Sequence, residues 1–168
     1  MANSMWKAGD DVVQTVKDLI TKHHPMLVDI LEEIAVLFKE KGTQVDDVII
    51  AGKTAKAPPL LGALAPEKPY TFIITLAADA WEEMDAKQRL ALLDHHLCGC
   101  GAKENEKDGE MTYYLRPPDV AFYKEEVERH GAWRSSGGTG PTPNLIEDLF
   151  GPQAPAAGVA PVATTPTP

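Results

Sequence analysis

The run Tyr70-Thr71-Phe72-Ile73-Ile74-Thr75-Leu76 constrains this chain most. It follows Pro69 and concentrates β-branched and aromatic residues, which predicts a strand over 70–76. A helix signal comes straight after it. Asp85 and Gln88 stand at capping-box spacing, Leu90, Leu93 and Leu97 recur along one face, and Gly99 or Gly101 offers a stop. That predicts a helix over 86–98. A buried strand feeding an amphipathic helix is the start of a layered α and β domain.

The flanking segments extend the pattern. Val12, Val13, Val16, Leu19 and Ile20 predict a helix over 10–23, capped by Asp10 or Asp11 and ended by His23-His24-Pro25. The two histidines read most simply as a polar helix end near the negative pole of the dipole. Met26 to Lys41 fits a helix, while Ile34 to Phe38 alone fits a buried strand. Val45, Val48, Ile49 and Ile50 predict a strand over 45–50. Prolines break up Lys53 to Lys68, which reads as a loop. Glu110 to Leu115 predicts a strand, and Asp119 can cap a last helix over 119–130. The fold class is therefore α+β, with strands near 34–39, 45–50, 70–76 and 110–115 in a mixed sheet of about three to four strands packed on three helices.

Composition changes at Ser135. Residues 135–168 hold seven of the 14 prolines and, after Arg134, only Glu147 and Asp148 as charges. Such a tail buries too little apolar surface to offset its ordering entropy, so it is expected to be disordered beside a domain over 1–134. One island, 144–150, interrupts it. Its Leu145, Ile146, Leu149 and Phe150 could dock in a partner's groove, or fold back on the domain as a short helix.

Across its 168 residues the chain has a formal net charge of -9, which argues against direct nucleic-acid binding and leaves a protein partner as the expectation. No apolar run is long enough for a membrane span, and Met1 to Asp11 lacks a secretory pattern. The expected location is the cytoplasm. Two cysteines separated by one residue make no disulfide framework and read as thiols or metal ligands.

Candidate chemistry gathers at Asp94-His95-His96-Leu97-Cys98-Gly99-Cys100. In H-E-x-x-H, histidines at i and i+4 share a helix face and bind zinc, while the glutamate acts as general base on the metal-bound water. Here His95 fills the first position, His96 stands at the base position and Gly99 stands at the second ligand position. A remade site is conceivable, because His96 and Cys100 are i and i+4, His95 and Cys98 are i and i+3, and Cys with His suits zinc. It would need further ligands, such as Asp94, Asp119 or His130. The simplest alternative is a helix with an exposed histidine pair and two half-buried thiols.

The order of several segments resembles the putative phage metallopeptidase family, which is zincin-like. They are Ile20 to Pro25, Ala77 to Trp81, Leu92 to His95 with Cys98 and Cys100, Pro118-Asp119-Val120, and Glu128 to Trp133. The family core reads D-H-E-L-C-H-C, with a third histidine before the Asp-Val of the last helix. The resemblance implies ligand positions at His95, Gly99 and Pro118, of which only His95 can bind metal. It therefore implies a metallopeptidase-like protein that has lost its catalytic set and acts as a binding module on a host or phage protein. The competing expectation is a divergent zinc-dependent peptidase with a site remade from His95, His96, Cys98 or Cys100. A closed thiol-imidazole zinc site is the third.

Overall fold

The computed structural model describes residues 3–45, 48–117 and 123–131. The chain opens with β1 (Met5–Lys7) and α1 (Asp10–His23). Val12, Val16, Leu19 and Ile20 are the buried stripe of α1, as their spacing predicts. Gly9, not Asp10 or Asp11, is the N-cap. Both aspartates sit in the first turn, at the positive end of the dipole.

The ambiguous stretch from Met26 resolves into both readings in turn. Pro25–Glu33 forms tight 3-10 turns with a break at Ile30, and Ile34–Lys39 is β2. The expected strand over 45–50 is corrected to a hairpin: β3 (Thr43–Val45) pairs antiparallel with β4 (Val48–Ile50). Val45 and Ile49 are about half exposed, so this apolar run is a surface ribbon and not a core strand. The expected loop over 53–68 is also corrected. It contains β5 (Gly52–Lys56) and α2 (Pro59–Leu64), with Pro59 at the first helical position, where a missing N–H costs nothing.

Phe72–Ala77 is β6, followed by α3 (Ala78–Glu83) and α4 (Ala86–Cys98). Asp85 and Gln88 form the predicted capping box. Leu90 leaves the expected face and is exposed, while Ala91 is fully buried in its place. After α4 comes a strand not expected from the sequence, β7 (Cys100–Glu104), paired antiparallel with β8 (Met111–Leu115). The predicted strand at 110–115 therefore belongs to a separate ribbon. Gly109, at φ 72°, closes its turn. The last described helix is α5 (Lys124–His130), the C-terminal part of the helix expected over 119–130.

The main sheet has the order β1-β2-β6-β5, with β2 and β6 parallel and both outer strands antiparallel. Ile34, Val36 and Phe38 alternate inward beside Phe72, Ile74 and Leu76. They join α1 and the α4 residues Ala91, Leu92, Leu93 and Leu97 in one core. Each Val, Leu, Ile or Phe side chain among them contributes about 1.5–3 kcal/mol on full burial, so the β2–β6 pair anchors the sheet. The consequence for function is geometric. The end of α4 is held between α1, α5 and the outer strand β5. Among the described residues, no helix is long and apolar enough to cross a membrane.

Candidate functional site

Successive residues on a helix diverge by about 100°. Asp94, His95 and His96 consequently enter three different environments.

His95 turns toward α5. Its Nδ1 donates to Glu126 Oε2, and the Glu126 side chain is fully buried. The Tyr123 backbone N–H donates to the same oxygen at 3.3 Å. The His95 ring lies 5.0 Å from the Tyr123 ring and 5.2 Å from that of His96. A buried carboxylate on Nδ1 holds the imidazole in the Nδ1–H tautomer, the arrangement found behind metal-binding histidines.

His96 turns toward β5. Its Nδ1 pairs with Thr54 Oγ1 at 2.9 Å, and its ring lies flush on Gly52. A Cβ at Gly52 would come within 2.3 Å of His96 Nε2, so the close approach requires glycine. The residue is buried, which corrects the expectation of an exposed histidine pair.

Gly99 caps α4 with ordinary helical φ (-75°), so its conformation does not demand glycine. Space does. A Cβ there would stand 2.7 Å from Tyr123 Oη. The Tyr123 hydroxyl donates to the Arg116 carbonyl at 2.9 Å, and the Arg116 N–H donates to the Gly99 carbonyl at 2.9 Å. Burial pushes the phenol up to about 12, so it stays protonated and keeps that bond. Between α4 and β5 runs an open cleft of about 430 Å³. Gly52, Lys53 and Thr54 form one wall, and His95, His96 and Gly99 form another. Leu115, Arg116, Pro117 and Tyr123 complete it.

Asp94 turns the other way, into the fold, and is fully buried. His24 Nε2 donates to Oδ1 at 2.6 Å and His130 Nε2 to Oδ2 at 2.8 Å. Arg129 grips both oxygens, Nε to Oδ2 at 2.6 Å and Nη2 to Oδ1 at 2.9 Å. Burial alone would raise the carboxyl. The hydrogen bonds from His130, His24 and Arg129 outweigh it and hold the group well below the usual carboxylate range. Cys98, one turn on, receives Arg129 Nη2 at 3.4 Å. Burial, reinforced by the Asp94 charge, pushes its thiol up to about 12.

The sequence-predicted residues thus separate. His95 and His96 share the cleft. Cys98 joins Asp94, and the Cys100 thiol donates to the His96 carbonyl at 3.5 Å. Both cysteines are buried, not half-buried. Among the described residues, the one group of three or more ligand-type side chains whose donor atoms all lie within 4.8 Å of one another is His24, Asp94 and Cys98. The set of His95, His96, Cys98 and Cys100 does not converge in this way. Pro118, Asp119 and the island residues Leu145, Ile146, Leu149 and Phe150 lie outside the described residues.

Sequence reasoning missed His24, Thr54, Tyr123, Glu126 and Arg129. His24 reads locally as a helix end, yet its partner is 70 residues away. Only the recurrence of charged and imidazole groups in Glu128-Arg129-His130 hints that the last helix carries a polar face inward.

No curated protein and no solved structure matches the chain. The family model described as putative phage metallopeptidase matches residues 4–149. That span is well over half of the 168 residues, and the chain belongs to the putative phage metallopeptidase family.

Proposed function

We propose that this chain keeps a peptidase-type cleft without a catalytic metal, and serves as a protein-binding module in place of a protease. One observation carries the reading: the space a second ligand side chain would need at Gly99 is taken by Tyr123, whose Oη stands 2.7 Å from a Cβ there. A catalytic zinc needs three protein ligands and an open position. At the family's positions this chain supplies His95 alone, with Gly99 and Pro118 at the others and His96 where the base would stand. The residues present therefore do not fit the metal that the family implies there, and no hydrolytic step is assigned to it.

What the cleft retains suits a peptide. β5 is the terminal strand of the main sheet and forms one wall. An extended segment can add to such an edge through backbone hydrogen bonds, with side-chain pockets giving selectivity. Lys53 and Lys56 are exposed on that strand, a common guard against indiscriminate edge pairing and a charge match for an acidic peptide. The partner is then a host or phage protein met in the host cytoplasm. The rival reading, a divergent zinc hydrolase built from His95, His96, Cys98 and Cys100, lacks support from a shared ligand cluster.

The test is an NMR titration of the isotopically labelled full chain with a peptide mixture from unfolded casein. Shifts confined to the amides of Gly52–Lys56 and the end of α4 are expected. Shifts scattered over the surface, or none at saturating peptide, would overturn the binding role.

A further inference from the structure

The face of α4 turned away from the cleft carries Asp94 and Cys98 at i and i+4, the spacing at which two helix side chains meet a common partner. α1 ends beside them and presents His24, whose Nε2 is 2.6 Å from Asp94 Oδ1. The imidazole nitrogen, the carboxylate and the sulfur lie mutually within 4.8 Å. All three side chains are buried or nearly so, with His24 the most open at 11%. A cation already occupies the space between the carboxylate and the sulfur. It is the Arg129 guanidinium, with Nη2 2.9 Å from Asp94 Oδ1 and 3.4 Å from Cys98 Sγ.

We propose that His24, Asp94 and Cys98 form a binding site for a thiophilic divalent cation of the zinc class, which enters by displacing the Arg129 guanidinium. Nitrogen, oxygen and sulfur donors together select such an ion over magnesium or calcium. The exchange balances in charge. Before it, the buried Asp94 carboxylate is neutralised by Arg129, and Cys98 is a thiol. After it, the dication is neutralised by the carboxylate and the Cys98 thiolate, and His24, its ring proton moved from Nε2 to Nδ1, is a neutral donor through Nε2. The thiol proton passes to solvent. Arg129 follows it outward, a short move for a side chain already 20% exposed. His130 Nε2 stays on Asp94 Oδ2 at 2.8 Å and keeps the carboxylate oriented toward the ion.

This site shares no residue with the cleft, and it stands or falls independently of the peptide-binding role. Its ligands sit one residue earlier on α4 than the family's ligand positions, with Asp94 and Cys98 in place of 95 and 99. The ion's task here is to tie α1 to α4, with a solvent molecule as the fourth ligand beside the three side chains.

Titration of the metal-free full chain with cobalt(II) tests it. The expected result is one equivalent bound, with a thiolate-to-cobalt band in the near ultraviolet and tetrahedral bands in the visible, all bleached by zinc. Cys98→Ser should abolish the near-ultraviolet band, and His24→Ala should weaken binding at least about tenfold. Cys100→Ser and His95→Ala should leave the spectrum unchanged. Arg129→Gln removes the competing cation and should tighten binding, a gain that a misfolded variant would not give. The proposal is overturned if no thiolate band forms, if the band survives Cys98→Ser, or if it is lost in His95→Ala.

Discussion

Asp94 and His95 are adjacent in sequence and belong to opposite kinds of site. Asp94 has no exposure and three partners able to carry positive charge, His24, Arg129 and His130. His95 stands at a cleft wall, 17% exposed, with one carboxylate behind it. A charge taken fully out of water must be paired on every side, so the Asp94 side of α4 tolerates little change. A cleft wall stays hydrated and accepts replacement at modest cost.

Substitutions ranked by cost probe that contrast. Asp94→Ala strands Arg129 and two imidazoles together and should cost about 3–5 kcal/mol in denaturant unfolding. A cost near that of a surface substitution would erase the distinction between the two faces. Glu126→Ala leaves His95 Nδ1 and the Tyr123 N–H without their acceptor and should cost about 1–3 kcal/mol, since Glu126 is buried although it serves the cleft side.

Gly99→Ala should cost about 1–3 kcal/mol through the clash with Tyr123 Oη. Tyr123→Phe deletes that atom, and the nearest remaining ring carbon is 3.6 Å away. The double variant should recover most of the loss, a coupling read from a double-mutant cycle. Additive costs would mean that Tyr123 is not what excludes a side chain at position 99.

Lys53→Ala should change stability by less than about 0.5 kcal/mol while weakening acidic peptides in the NMR titration. A smaller effect concerns the thiols. Burial pushes both Cys98 and Cys100 up to about 12, so native protein should alkylate far more slowly than denatured protein near neutral pH. Fast native labelling would contradict their enclosure.

How much of this was legible depends on where each residue finds its partners. α1 and α4 match their expected bounds because an apolar stripe ending at His24-Pro25 marks α1 and a capping box opens α4. β2 and β6 are visible because both are buried apolar runs. β5 is hidden because it is an edge strand whose Lys53 and Lys56 face solvent. β7 is hidden because Gly101 lies under the Tyr114 ring, where a Cβ would meet ring carbons at 2.7 Å, and glycine there reads as a break. At the site, His95 stands out from its motif. Glu126 and Arg129 do not, because periodicity reports a residue's face on its own helix and nothing of a carboxylate or sulfur some 31 to 35 residues away.

Hydrolysis of unfolded casein by the purified full chain with added zinc, run with and without a chelator, decides whether the cleft is catalytic. No cleavage above a protein-free control is expected in either condition. Cleavage that the chelator stops and that His95→Ala abolishes would contradict it, and would return catalysis to the cleft face of α4.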